Sequence, residues 1–395
     1  LRKWPWSNWT KPFWYVVICA MFIQFGMGMQ KTIFNNFVAE ELGIRADQLG
    51  WLESVREIPG LLTFLMVGLT AILARNILVA IAVGFVGAGL AFYAASSSVA
   101  TLILATIIYS VGYHLFFPLQ SAQVLSLAGP GEKARRLGEL NSIAAFAFLL
   151  AMGFVYLVSG WLAYRQLFVI AAVVTLGGAA TMLALPRTKQ AERPRTFVAR
   201  RRYWLYYVLT FLASSRRQVT ATFAVFALVT LYGTPVKTVA ALMFVSNVVA
   251  VLTRSLCGQA VDRIGESRAL TLSHLGVIAM FIGYAFIRVP AILYVLYIMD
   301  NFLMGFDVAQ STYLDRIALP GDVPPSLALG STINHVTAVA VPIIAGYLWT
   351  SYGHPVTFSF GAVVALISLY FVRKINSTMP GERGGSVTLV AGSDD

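Results

Sequence analysis

The chain has 395 residues, of which 58% are hydrophobic and 12% charged; its net charge is +12 and its mean hydropathy +0.74. Soluble globular chains carry about 25% charge, so these values exclude a domain that keeps itself in solution with its own surface. The positive balance does not mark a nucleic-acid binder, because the cations fall in short loops between apolar runs and not on one basic face. The two cysteines, Cys19 and Cys257, both sit in apolar segments and give neither a disulfide framework nor a zinc spacing. No Gly-rich phosphate loop is present, which argues against ATP-driven pumping, and no cofactor or metal is expected.

The amino-terminal stretch "LRKWPWSNWTKPFWYVV" is basic and aromatic and runs straight into an apolar segment too long for a signal peptide. A membrane-crossing helix needs roughly 20 apolar residues. About twelve such runs follow, near residues 13–37, 49–73, 77–95, 100–124, 138–161, 166–185, 204–231, 239–257, 269–288, 290–314, 327–350 and 355–373. The expected architecture is therefore an all-α membrane protein of twelve transmembrane helices in two pseudo-symmetric six-helix bundles, 13–185 and 204–373. Residues 1–12 form the amino-terminal segment. A basic linker, 186–203, joins the bundles, and a Gly/Ser/Thr-rich tail, 374–395, reads as disordered.

Charge asymmetry orients the spans. Arg2, Lys3 and Lys11 precede the first. Arg75, then Lys133, Arg135 and Arg136, then the linker, then Arg263 and Arg268 mark later connections on the same side. Connections on the other side are acidic, neutral or singly basic. Both termini are expected to be cytosolic, in a cell (inner) membrane. The Asn8 "NWT" sequon then faces the cytosol and is accidental. A shift of 193 positions superposes Gly112 on Gly305, Asn141 on Asn334, Gly153 on Gly346 and Gly160 on Gly353. Because that shift spans an even number of helices, the repeats are parallel and share one site near the midplane.

After the eighth run comes "GQAVDRIGESRAL", Gly258 to Leu270. Gly258, Asp262, Arg263, Gly265 and Arg268 resemble the signature loop of the major facilitator superfamily. The first-half counterpart, "GLTAILARNIL" from Gly68, lacks the aspartate and keeps only Arg75. The fourth-span arginine of the proton-driven drug exporters is also missing, with Ile108 in its place. The resemblance implies alternating access and a gating loop: Gly258 for close helix contact, Gly265 for a tight turn, and Asp262 as a breakable latch.

The residues that carry chemistry are the ionisable ones inside the spans, since a guanidinium at the bilayer centre costs about 2.5–3.5 kcal/mol even on insertion scales. Arg216 and Arg217 lie thirteen or so residues into the seventh run, near mid-bilayer. Gln24, Gly28, Lys31 and Asn35 form a polar stripe on the first. Glu53, Arg56 and Glu57 share one turn of the second. Asp300 and Asp307 are seven residues apart on the tenth; His114 lies in the fourth, and Asn334 and His335 in the eleventh. Lys31, Glu53, Arg56 and Glu57 are expected in the outer half, and His114, Asp307 and His335 in the middle or inner half. Under the repeat shift His114 faces Asp307.

The expected substrate-binding residues are Arg216, Arg217, Lys31, Gln24, Asn35 and Asn334. Glu53, Arg56, Glu57, His114, Asp300, Asp307 and His335 are the proton-coupling or charge-relay residues. Each has a plainer alternative, namely mutual neutralisation for the acids and ordinary packing for the histidines. The functional expectation is a secondary transporter of a small organic solute, an anion among the candidates, coupled to protons or to a counter-solute and working as a monomer. The alternatives are an amphiphile, lipid or drug exporter of the same fold and, distantly, a membrane-embedded enzyme using Asp300 and Asp307 as a shared-proton pair.

Overall fold

The computed structural model describes residues 9–62, 73–129, 131–186 and 200–375, and among them every regular element is helical. The helices are α1 (Lys11–Asn36), α2 (Ala46–Leu61), α3 (Arg75–Ala95), α4 (Val99–Leu127), α5 (Lys133–Val158), α6 (Tyr164–Leu183), α7 (Trp204–Tyr232), α8 (Val236–Ile264) and α9 (Glu266–Phe286). They continue with α10 (Pro290–Met304), α11 (Val308–Ile317), α12 (Val323–Tyr352) and α13 (His354–Val372). Among the described residues ten helical stretches are long and apolar enough to cross a membrane, Pro290–Ile317 counting as one. The Arg216–Arg217 helix α7 and the 16 described residues of α2 are not among them.

Local chemistry sets the boundaries. Ser98 caps α4 by accepting from the Thr101 amide at 3.3 Å. Gly233 ends α7 in the left-handed conformation, φ +60°. Gly265 turns the chain from α8 into α9 at φ +83°. The tenth run does not form one continuous helix: a 3-10 turn, Gly305–Asp307, separates α10 from α11. Gly305 supplies the room, since a Cβ there would lie 2.8 Å from Cys257 Sγ.

Helix starts recur in the same order along both halves: Lys11 and Trp204, Ala46 and Val236, Arg75 and Glu266, Val99 and Pro290, Lys133 and Val323, Tyr164 and His354. Helix α1 packs on α5 and α6, α3 on α4 and α6, α9 on α13, and α7 on α12 and α13. Small residues let these backbones approach, the usual device where lipid offers no hydrophobic drive. A Cβ on Gly28 would lie 2.8 Å from Ala151 Cβ, and one on Gly89 2.5 Å from the Tyr109 nitrogen. Two seams join the halves, α2 against α12 and α5 against α8. In the first, a Cβ on Gly346 would lie 2.5 Å from the Ala46 carbonyl oxygen, and Gly50 abuts the Pro342 carbonyl.

The signature loop departs from expectation in two respects. Among the described residues nothing lies within 4 Å of a Cβ on Gly258, so that glycine makes no close contact with any described helix. Asp262, Arg263 and Arg268 are exposed and form no ion pair among the described residues. The ion pair of that region is instead Glu266 with Arg316, at 3.4 Å, tying the start of α9 to the end of α11. Gly68 and most of its loop lie outside the described residues, as do residues 1–8, 187–199 and 376–395 of the terminal segment, linker and tail.

At the end of the linker, Arg200 Nε donates to Asp322 Oδ2 at 2.5 Å and the Tyr203 hydroxyl donates to the same oxygen at 2.7 Å. These contacts clip the entry of α7 to the entry of α12. The hydroxyl and the guanidinium hold the Asp322 carboxyl below its usual value. A depressed carboxylate stabilises the fold above its ordinary pKa and loses that contribution as pH falls through the folded value. We expect Asp322→Asn to lower the thermal unfolding midpoint at pH 7, with the gap from wild type closing as the pH falls into the acid range. An unchanged midpoint at pH 7 would show that the clip carries no stability.

Candidate functional site

The two arginines of α7 meet one carboxylate. Arg216 Nη2 donates to Asp307 Oδ1 at 2.8 Å and Arg217 Nη2 to Asp307 Oδ2 at 2.7 Å. The 3-10 turn sets this up, because it is what places Asp307 opposite both forks. The environments differ sharply: the Arg216 side chain is 1% exposed and that of Arg217 is 40% exposed. Arg216 is thus a buried ion held by a half-buried partner that also borders the cavity, and Arg217 is the wet one. Two cations share a single anion, so one positive charge is left over.

That surplus faces a cavity of about 370 Å³ lined from α7, the Asp307 turn, α11 and α12. On α7, Tyr206, Thr210 and Ser214 continue down the face that carries Arg217. Tyr206 to Arg217 spans about 16 Å of helix at ~1.5 Å per residue. Gln310 and Ser311 come from α11, and Ser331 and Asn334 from α12. Of the substrate-binding residues expected from sequence, Arg217 and Asn334 line this space, and Arg216 stands behind Asp307. Gln24, Lys31 and Asn35 are not in its lining. The polar stripe of α1 is also not a continuous cavity face, because Gly28 within it packs on Phe148 and Ala151 of α5. The expectation that both halves line one site is not met among the described residues: the lining comes wholly from beyond residue 200.

The polar residues of the first half are engaged with one another and across the seam. Arg56 pairs with Glu53 at 2.6 Å and with Glu57 at 3.2 Å. Glu57 Oε2 lies 3.1 Å from His335 Nδ1 and 3.6 Å from His114 Nε2. Lys31 forms no ion pair among the described residues, although Glu53 dominates its electrostatic surroundings. The depth expectation needs correcting here. Glu57 does not sit in a separate outer layer: it meets His114 and His335 directly, because the last turns of α2 run down to the middle of α4 and α12. His114 and Asp307 occupy matching helices but opposite settings, one beside a carboxylate and the other between two guanidiniums.

Asp300 and Asp307 do not form a dyad. Asp307 is taken by the arginines. Asp300 is 7% exposed, makes its side-chain contact with Thr220, and leaves Oδ1 without a hydrogen-bond partner. The sequence reading missed Tyr206, Thr210, Ser214, Gln310, Ser311 and Ser331. The i, i+4, i+8 spacing of Tyr206, Thr210 and Ser214, ending at Arg217, was the signal that could have found the α7 group. It missed Asn36 as well, whose side-chain amide donates to Glu40 at 2.7 Å and to the Thr234 carbonyl at 3.0 Å.

Solved membrane carriers share the architecture. The nucleoside transporter NupG superposes with a TM-score of 0.77 at 16% identity, covering 93% of this chain and 99% of that one. For the peptide transporter POT in complex with sulfate the values are 0.72, 13%, 96% and 97%. The human organic anion transporter MFSD10 gives 0.59, 12%, 91% and 98%. At these identities the likeness shows the fold alone. No curated protein matches the chain in sequence. The profile of the Major Facilitator Superfamily, however, matches residues 16–318, most of the chain. With that match and those neighbours, the protein is a multi-pass membrane transporter and not an enzyme. The chain belongs to the Major Facilitator Superfamily.

Proposed function

We propose that the protein is a secondary transporter carrying a small organic anion by alternating access, with Arg217 as the anion-binding residue. The observation that supports this is the surplus guanidinium beside the cavity: Asp307 bridges both arginines, yet only the Arg217 side chain, 40% exposed, reaches water. A guanidinium offers a planar, always-charged fork suited to a carboxylate or phosphate group. Asn334, Gln310, Ser331 and Tyr206 add neutral hydrogen-bonding groups around it, fitting a solute that is polar beyond its single charge. In this reading twelve transmembrane helices form two lobes, 13–185 and 204–373, with the basic 186–203 linker and both termini cytosolic. The chain works as a monomer in the cell membrane. The signature-loop residues Gly258, Asp262, Arg263, Gly265 and Arg268 belong to its cytosolic gate.

Coupling is assigned to Asp300. It is buried, lacks an ion-pair partner among the described residues and has an unpartnered oxygen. Arg216 and Arg217 on α7, Asp307 farther along its own span, Tyr297 one turn before it and Tyr284 on α9 are the charged and titratable groups around it. With Arg216 committed to Asp307, Asp300 is the acid whose charge must be neutralised by a proton.

Proteoliposome uptake of mono-anionic and uncharged organic solutes tests the assignment. Wild type should accumulate anions, Arg217→Gln should lose most of that uptake, and Arg217→Lys should keep a fraction. Equal uptake by wild type and Arg217→Gln would remove the anion site. Asp300→Asn should retain solute exchange while losing accumulation driven by a pH gradient; gradient-driven accumulation at the wild-type level would remove Asp300 from coupling. Stability separates the two arginines. Asp307→Asn strips the buried Arg216 of its counter-charge and should cost about 3–5 kcal/mol. Arg217→Gln leaves the Arg216–Asp307 pair intact and should cost far less in the same denaturation assay. Equal losses would contradict the division into a buried and a wet arginine.

A further inference from the structure

The seam between α2 and α12 holds a second constellation. Glu57 on α2, His114 on α4 and His335 on α12 bring one carboxylate oxygen and two imidazole nitrogens to within 4.8 Å of one another. Gly60, one turn beyond Glu57, makes this approach feasible, because a Cβ there would lie 2.7 Å from both His114 Nε2 and His335 Cε1. The two rings meet edge to face with centroids 5.3 Å apart.

The state of His114 is informative. Its Nδ1 lies 3.0 Å from both the carbonyl oxygen and the hydroxyl oxygen of Ser110, one turn earlier, so the ring is held from that side. Nε2, on a side chain that is 6% exposed, has no hydrogen-bond partner among the described residues and lies 3.6 Å from a Glu57 carboxylate oxygen. A carboxylate oxygen and an imidazole nitrogen this close in a buried setting call for a cation between them, either a proton or a metal ion. Ser110 also fixes the geometry from outside, since its hydroxyl donates to the Arg56 carbonyl and so ties α4 to α2. A metal-bound imidazole characteristically donates its other N–H to a backbone carbonyl in this way. The chain has four histidines. By contrast, His274 uses both nitrogens within the protein, on the Leu270 carbonyl at 2.7 Å and the Ser368 hydroxyl at 2.8 Å.

We infer that Glu57, His114 and His335 form a binding site for a divalent first-row transition-metal ion, Zn²⁺ being the best match, that clamps α12 to α2 and α4. Two imidazoles and one carboxylate are a zinc-type donor set that leaves a fourth position for water. Bonds of ~2.0–2.1 Å in a tetrahedral site put neighbouring donors about 3.3–3.4 Å apart. The observed separations from Glu57 Oε2, 3.1 Å to His335 and 3.6 Å to His114, bracket that value. Among the three ligands Glu57 brings the one negative charge, with Arg56 shared between Glu53 and Glu57 and Lys31 nearby. Access runs through His335, whose side chain is 27% exposed and whose neighbour Asn334 lines the cavity. Because the ligands come from both halves of the chain, an ion here holds the seam shut. The site does not depend on the anion assignment.

Cobalt(II) titration of purified, chelator-stripped protein in nanodiscs tests this directly. Wild type should take up one Co²⁺ per chain with the intense visible bands of a four-coordinate ion, and Zn²⁺ should bleach them. His335→Ala and Glu57→Gln should each weaken binding at least as much as loss of an outer partner does, about 10–100-fold. His354→Ala, at the far end of α13, should bind as wild type does. Absence of the bands in wild type would overturn the site whatever the variants do, and would leave the cluster as a proton-holding one. Bands that persist unchanged in His335→Ala and Glu57→Gln would place the ion elsewhere and overturn it too.

Discussion

One carboxylate stabilises what the membrane would otherwise forbid. Asp307 accepts from Arg216 on one oxygen and from Arg217 on the other, and the rest of the site follows from that arrangement. A guanidinium that is 1% exposed is tenable only with a partner at ion-pair distance, and a second guanidinium on the next residue cannot point the same way. One fork is therefore buried and structural while the other turns to the cavity. The positive charge there is a by-product of sharing one acid between two bases, and that by-product is what an anionic solute would meet.

Much of the fold could be read from composition and periodicity. Long apolar runs gave nearly all of the helices close to their observed limits, since residues 204–231 anticipate α7 and 355–373 anticipate α13. The two-fold recurrence of helix starts was only loosely visible: the glycines suggested a shift of 193, which the Lys11 and Trp204 starts obey, whereas the other five pairs differ by 190 or 191. The break at Gly305–Asp307 was not, because an apolar run looks the same to a hydropathy window whether its last turns are α or 3-10. Yet that break positions Asp307. The signature loop was legible as a motif and misleading in detail: Gly265 adopts its positive φ, whereas Gly258 faces open space.

The site itself was half legible. Costly charges announced themselves one by one: Arg216, Arg217, Glu57, His114, Asp300, Asp307 and His335 all stand out against an apolar background. Their pairing did not, because it is a property of helix rotation and depth that a single chain does not encode locally. Lys31, Gln24 and Asn35 share a helix face with spacings as good as those of Tyr206, Thr210 and Ser214, yet only the second group lines the cavity. The difference lies in what packs alongside: α5 closes on α1 at Gly28, while the cavity stays open beside Arg217 although α12 packs on α7 elsewhere, through Thr337 on Ser214.

The seam between α2 and α12 sets the conformational logic. Backbone meets backbone at Gly50 and Gly346, and Glu57 reaches His335 across the same boundary. Such contacts hold one arrangement of the two halves and must part if the carrier is to expose its cavity to the opposite side. Glu57 and His335 therefore serve the seam, one from each half, whereas the polar groups lining the cavity all come from the second half.

The positive field of the cavity can be measured without knowing the solute. With Ser331→Cys as the reporter, an anionic thiosulfonate should modify the protein faster than a cationic one, each rate being normalised to a free thiol in solution. Adding Arg217→Gln should abolish that preference. A cationic preference in the Arg217 background, or no reaction with either reagent, would contradict a wet, positively charged crevice and with it the whole account of why two arginines sit in the middle of α7.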